Sequence, residues 1–209
     1  MTRITLDLLR KRSEHNEGLI HNLEELSLHQ DSLEEIENLD RWCRELKILY
    51  LQGNSIQKIE NLNRLKNLEY LNLALNSIER INHLEGCESL KKLDLTANFI
   101  GDLTSVENLR HNCYLEELYL TGNPCAEYGG YRMYVVGALP QLKVLDGQEV
   151  TRTEQLAALH NFPNIKARII THQNEYNGRR VRTMSLHTVS SPSSQYSPLK
   201  GSRTAEESG

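Results

Sequence analysis

Six segments of this chain repeat one arrangement of leucines. "LEELSLHQDSL" begins at Leu23, "LKILYLQGNSI" at Leu46, "LEYLNLALNSI" at Leu68, "LKKLDLTANFI" at Leu90 and "LEELYLTGNPC" at Leu115, and a broken copy, "LKVLDG", begins at Leu142. The starts are 23, 22, 22, 25 and 27 residues apart. Within a copy the apolar offsets fit neither a helix nor an unbroken strand. Only the centre alternates, as at Leu49 and Leu51, which puts both on one side of a short strand. The flanking Leu46 and Ile56 must turn inward as well. Asparagine recurs just past each strand, at Asn54, Asn76, Asn98 and Asn123. A side-chain amide there can both donate to and accept from backbone where the chain bends, so a ladder of asparagines is expected. Asp31 holds the position in the first copy. It can accept but not donate, and predicts a weaker rung.

The pattern is that of the leucine-rich repeat. One copy cannot bury its own apolar side, so the copies must stack. The expected fold is an α/β solenoid: a horseshoe with a parallel concave sheet, a 3-10 or helical convex side, an N-terminal helical cap and a C-terminal cap. Ile56, Ile59, Leu62, Leu65 and Leu68 run in three-residue steps, the period of a 3-10 helix, and resemble the 22-residue, phosphatase-regulator-like class of repeats. Residues 1–22 are assigned to the N-terminal cap, with Ile4, Leu8, Leu9, Leu19 and Ile20 around a helix. Residues 23–124 hold five repeats and 125–147 the C-terminal cap. In that cap Tyr131 opens a helix stopped by Pro140, and Asp146 is a structural turn residue. Residues 148–182 predict a partly helical extension, with Thr151 and Glu154 as a capping box, a break at Pro163 and a second helix ending near Gly178. Residues 183–209, rich in serine with two prolines, predict a disordered tail. Ser191-Pro192 and Ser197-Pro198 are candidate phosphorylation sites within it.

Charge and composition exclude several functions. Residues 23–146 hold 12 Lys+Arg against 20 Asp+Glu, and residues 147–209 hold 8 against 5. An acidic body is a poor surface for phosphates, so no direct nucleic-acid contact is expected. "GRRVR" at Gly178–Arg182 reads as a solvated basic linker. No segment approaches the roughly 18 apolar residues of a membrane span. The N-terminus has no apolar signal core, and a cytoplasmic protein is expected. Cys43, Cys87, Cys113 and Cys125 include no C-x-x-C pair and read as reduced thiols. The eight histidines are scattered. No phosphate loop, triad or ligand cluster emerges, so no enzyme activity, metal or cofactor is expected.

The residues between the leucines are left for binding. The outward strand positions line up in columns across the repeats. One reads Ser27, Tyr50, Asn72, Asp94, Tyr119; the column before it reads Glu25, Ile48, Tyr70, Lys92, Glu117; the column after it reads His29, Gln52, Ala74, Thr96, Thr121. Ile48, Tyr50, Gln52, Tyr70, Asn72, Lys92, Asp94 and Tyr119 are therefore the candidate protein-binding residues. Aromatic anchors amid small polar residues suit an interface, although tyrosine also suits a sheet surface for its own sake.

Several runs are more specific than a generic repeat: "EELSLHQ", "RWCRELKILYLQ", "LEYLNLALNSIE", "LEGC", "LDLTANFIG", "GNPCA" and the N-terminal "RITLDLLRKRSEHNEGLI". They resemble the tilB-type leucine-rich-repeat family of dynein axonemal assembly factors over about residues 1–150, and more faintly to about 170. The resemblance implies a non-catalytic scaffold for cytoplasmic preassembly of dynein arms for cilia and flagella. Its partners would be axonemal dynein chains and assembly factors or co-chaperones. It would be a monomer with no coiled coil, located in the cytoplasm and also at the cilium, flagellum or basal body. That family continues into a CS-like domain, which this chain is expected to lack. Two other adaptors share the repeat pattern, a phosphatase-regulator-like one and a splicing-type one that presents an RNA-binding partner.

Overall fold

The computed structural model describes residues 2–13 and 16–189, with side chains as far as residue 182. Seven strands form one sheet in sequence order: β1 Glu25–Ser27, β2 Ile48–Tyr50, β3 Tyr70–Asn72, β4 Lys92–Asp94, β5 Glu117–Tyr119, β6 Val144–Leu145 and β7 Gln148–Glu149. β1 to β6 are parallel, and β7 returns antiparallel on β6. The leucine of each strand lies over its neighbour, with Leu26, Leu49, Leu71, Leu93, Leu118 and Leu145 in register and fully buried. Strands this short cannot persist singly. Each is held by the one before and after it, which makes the stack the unit of stability.

The asparagines bind the stack together. Asn98 Oδ1 accepts the Ile78 N–H at 2.9 Å, and its Nδ2 donates to the carbonyls of Leu73 and Leu95 at 2.9 and 3.0 Å. Each rung thus joins its own repeat to the preceding one. Asn54, Asn76 and Asn123 repeat the geometry, and all four are buried. The Asp31 side chain makes none of the rung's backbone bonds among the described residues, and its Oδ2 is buried without a hydrogen bond. Its carboxylate pairs with Arg12 of the N-terminal helix α1 (Leu6–Arg12), so the first copy is closed by the cap. Thr5 caps α1 by accepting the Leu8 N–H. Ile4 and Leu9 are buried beneath it, whereas Leu19, expected in the cap core, is 45% exposed.

The convex side is less helical than the three-residue steps predict. A short helix α2 (Leu39–Trp42) backs the first repeat, and a 3-10 helix at Leu103–His111 backs the fourth. Between residues 56 and 68 and between 78 and 90 the described backbone forms turns, bends and irregular segments. Extended polyproline-like chain also repeats every three residues, so the spacing could not separate the two. Asn61 and His83, both at φ 57°, interrupt any helix there. Each side chain reaches back one repeat, Asn61 Nδ2 to the Ile36 carbonyl at 2.7 Å and His83 Nδ1 to the Ile59 carbonyl at 3.0 Å.

The C-terminal cap holds a 3-10 turn (Pro124–Glu127) and helix α3 (Tyr131–Ala138), with Tyr134 fully buried. Pro140 follows the end of α3 and is exposed. From Arg152 a single helix α4 continues to Val189. This corrects three sequence expectations: Pro163 does not break it, Gly178 does not end it, and residues 183–189 are helical rather than tail. The rest of the expected tail, with both Ser-Pro pairs, lies outside the described residues.

An interior proline costs a helix about 3 kcal/mol, so packing must offset it. Ala158, Ile165 and Ile169 are buried on the inner face of α4, and Phe162 stacks on Tyr134 with ring centroids 5.3 Å apart. Pro163 itself points to solvent. At its start, Thr151 caps the helix through the Glu154 N–H, and Glu154 binds Arg132 at 2.6 Å. Further on, α4 runs back along the repeats. Lys166 meets Glu107 at 2.7 Å and Arg180 meets Glu79 at 2.6 Å.

Both anchoring carboxyls sit below their ordinary pKa. At Glu107 burial pushes upward, but bonds from Lys166 and Tyr134 outweigh it. At Glu79 the bond from Arg180 dominates. A carboxyl lowered by folding stabilises the fold above its unfolded value and loses that contribution as pH falls through its folded value. Below the ordinary carboxylate value of 4.5, α4 is expected to loosen before the repeats unfold. Hydrogen exchange at falling pH checks this: amides of residues 165–182 should lose protection ahead of those in β2–β5.

Candidate protein-binding face

The strand register fixes the columns. Ile48, Tyr70, Lys92 and Glu117 are Cα partners in succession, and so are Tyr50, Asn72, Asp94 and Tyr119. Each strand carries its leucine inward, so its two outer residues face the concave side, half-buried.

These side chains brace one another. Tyr50 and Tyr70 meet edge to face, with centroids 5.6 Å apart. Lys92 Nζ lies 5.3 Å from the Tyr70 ring centroid, 5.2 Å from that of Tyr119 and 3.0 Å from Glu117. Asn72 Nδ2 donates to the Tyr70 hydroxyl at 3.2 Å, and the Tyr119 hydroxyl donates to Glu117 at 3.2 Å. Burial raises the pKa of Tyr70 and, to a lesser degree, Asp94 does too; burial also leads the rise at Tyr119. The bond to Glu117 raises Lys92. Neutral phenols and a charged ammonium are therefore the working forms at neutral pH. Aromatic groups held in place before binding lose little entropy on contact.

Asp94 differs from its neighbours. Its Oδ1 accepts the Thr96 N–H at 2.9 Å, and the carboxylate forms no ion pair among the described residues. Gln52 keeps a buried Oε1 without a hydrogen bond among the described residues. Ile48 lies half-buried at the edge of the tyrosine pair. The eight candidate residues thus fall on one continuous surface. The cap residues sit elsewhere. Asp146 Oδ1 accepts the N–H groups of Leu120 and Thr121 at 2.7 and 3.0 Å, and its Oδ2 accepts the Tyr131 hydroxyl at 2.8 Å.

Cys43, Cys87 and Cys125 are buried, and burial pushes each thiol up to about 12. They remain protonated at neutral pH. No described helix is long and apolar enough to cross a membrane.

A leucine-rich-repeat family model matches residues 1–173. The chain belongs to the leucine-rich-repeat family. Within this family its relatives include dynein axonemal assembly factor 11 of Danio rerio, 60% identical over 88% of this chain and 42% of that protein. Protein tilB of Drosophila melanogaster is 60% identical over 84% of this chain and 44% of that protein. Dynein axonemal assembly factor 11 of Trypanosoma brucei brucei is 56% identical over 81% and 44%. The chain therefore spans about two fifths of the length of these relatives. Among solved leucine-rich-repeat structures, the Drosophila melanogaster SNF/U2A' complex superposes with TM-score 0.65 at 28% identity, covering 78% of this chain and 93% of that one.

One feature of the leucine-rich-repeat body escaped sequence reasoning. It is the inner stripe of α4, legible in retrospect as apolar residues at Ala158, Phe162, Ile165, Ile169 and Tyr176, in steps of four, three, four and seven.

Proposed function

We propose that this chain is a non-catalytic protein-binding scaffold in the cytoplasmic preassembly of axonemal dynein arms for cilia and flagella. The observation that carries the reading is the braced aromatic surface on the concave sheet, in a chain about 60% identical to proteins named dynein axonemal assembly factor. Its partners are axonemal dynein chains or the assembly factors and co-chaperones that handle them. The concave face holds a partner segment through Ile48, Tyr50, Gln52, Tyr70, Asn72, Lys92, Asp94 and Tyr119. Nothing in the reading requires a metal, a cofactor or a bond-making step. The scaffold works as a monomer in the cytoplasm and at the base of the cilium.

The test is a tagged chain expressed in ciliated cells and recovered from cytoplasm, with axonemal dynein chains quantified by mass spectrometry. Replacing Tyr50, Tyr70 and Asp94 together by alanine is expected to lower their recovery at least tenfold. The melting temperature should move little, because these side chains lie outside the leucine core. Unchanged recovery with an intact fold overturns the reading.

The likeness to the SNF/U2A' complex favours one alternative, a splicing-type adaptor. At 28% identity against about 60% it is the weaker guide. Nuclear accumulation, with RNA-binding proteins recovered in place of dynein chains, would decide for it.

A further inference from the structure

One outward column of the concave face holds asparagine on β3 and aspartate on β4. Asn72 and Asp94 are Cα partners there, and they do the same local work. Asn72 Oδ1 accepts the Ala74 N–H at 3.0 Å, and Asp94 Oδ1 accepts the Thr96 N–H at 2.9 Å. Such a bond mimics a backbone turn two residues on, and a neutral amide makes it as well as a carboxylate. The fold therefore has no need of the charge on Asp94.

That charge is unfavourable where it stands. Asp94 is half-buried, and partial burial of an unpaired charge costs free energy that an amide would not. Its counter-charge is missing. The outward positions of β1 to β5 hold three carboxylates, Glu25, Asp94 and Glu117, against one cation, Lys92. Lys92 is spent on Glu117, 3.0 Å away. Glu25 lies three strands off, on β1. Asp94 is thus the unbalanced charge at the centre of the tyrosine surface. Burial leads the rise in the Tyr70 and Tyr119 pKa values, and the Asp94 charge adds to both, so the carboxylate lies close to both phenols. These rings already receive a cation: Lys92 Nζ stands 5.3 and 5.2 Å from their centroids. Aromatic faces and a free carboxylate attract the same kind of group. Gln52 Oε1, two strands away on the same face, is a second acceptor without a hydrogen bond among the described residues.

We propose that Asp94 selects the partner by charge, and that the concave face takes a basic segment which sets an Arg or Lys on this carboxylate against the tyrosine rings. This rests on the concave-face reading and goes beyond it in naming the partner's charge and the residue that selects it.

Asp94→Asn, made in the full chain, tests it. The variant keeps an acceptor for Thr96 and removes only the charge, so it is expected to melt at or above the parent temperature. At about 0.05 M salt its recovery of axonemal dynein chains from ciliated-cell cytoplasm should be about fivefold or more below the parent, and at about 0.5 M the gap should close, because ions screen the pair. Glu85→Gln removes the same charge from an exposed position on the convex side and should leave recovery unchanged. A lower melting temperature for Asp94→Asn would make the carboxylate structural and overturn the proposal. So would a gap that salt leaves unchanged, which would assign the loss to shape, or an equal loss in Glu85→Gln, which would assign it to the charge of the whole body. Unchanged recovery in Asp94→Asn overturns it as well. If the Tyr50, Tyr70 and Asp94 triple variant still loses dynein in that case, the concave-face reading survives without the charge selection. If neither variant changes recovery, both fall. Photo-crosslinking from benzoylphenylalanine in place of Thr96, beside Asp94, should capture a segment rich in Arg or Lys. Capture of an acidic segment, or of a second copy of this chain, would overturn the assigned occupant.

Discussion

Replacing Asn98 by alanine is expected to destabilise the protein by about 3–5 kcal/mol, as much as a large core truncation. The amide satisfies three buried backbone groups: the Ile78 N–H and the carbonyls of Leu73 and Leu95. Leaving a buried polar group unpaired costs about 1–3 kcal/mol, and a lost hydrogen bond about 0.5–1.5 kcal/mol; alanine leaves the Ile78 N–H unpaired and removes one of two donors from each carbonyl, since Asn76 still donates to Leu73 and Asn123 to Leu95. In a chain of this size the melting temperature should fall by roughly 6–20 °C. The effect is not confined to one repeat, because the rung joins the third to the fourth, and solenoid stability depends on such neighbour contacts. Asn98→Asp separates the hydrogen-bond account from simple packing. Aspartate has the same shape and can still accept from Ile78, but its second oxygen would face two carbonyl oxygens. Folding would hold that carboxyl protonated, with its pKa raised. A raised group's contribution is present below its unfolded value and lost as pH rises through the folded one. The deficit of Asn98→Asp against the parent should therefore be smaller at pH 4 than at pH 7, whereas that of Asn98→Ala should not change. Urea titrations at the two pH values measure this. Equal deficits for Asp at both pH values would show that the rung does not work by donating.

The same hydrogen-bond logic explains which parts of the molecule could be read in advance. The repeats were legible because each leucine and asparagine sits at a fixed offset from a strand, and parallel register carries that offset from repeat to repeat. Legibility ended where one spacing has two solutions, as on the convex side, where a three-residue step fits both 3-10 helix and extended chain. It failed again where tertiary contact overrides local propensity. Pro163 and Gly178 are helix breakers in isolation, yet Phe162 against Tyr134 and Arg180 against Glu79 hold α4 straight across them. The weaker rung at Asp31 was legible, but its ion pair was not, because Arg12 is 19 residues away, outside the repeat. The columns of the concave face followed from register alone. How Lys92 lies between two tyrosine rings did not, since that depends on rotamers chosen by the neighbours.

The cap should be as sensitive as the ladder at one residue. Asp146→Ala is expected to cost about 2–4 kcal/mol, and Asp146→Asn about 1 kcal/mol or less. Asp146 stands at φ 53°, where aspartate and asparagine are tolerated but alanine is strained. Its Oδ1 accepts the N–H groups of Leu120 and Thr121, the two residues that follow the fifth strand. Its Oδ2 takes the hydroxyl of Tyr131, the first residue of α3. One carboxylate therefore ties the last full repeat to the helix that covers it. Burial, and then Asp146 itself, hold the Tyr131 phenol well above its usual range, so this hydroxyl remains a donor throughout the working pH range. Asparagine keeps an acceptor for the two backbone groups, and the hydroxyl can turn to accept from its amide. Alanine removes all three bonds and adds strain. Because α3 is the surface on which α4 rests, the alanine variant should lose more than its melting temperature. Limited proteolysis is expected to release residues after about 150 early, while a fragment ending near β5 persists. Cleavage distributed evenly along the chain would mean that Asp146 supports the whole solenoid. Cleavage no faster than in the parent would mean that α3 and α4 hold the cap without it.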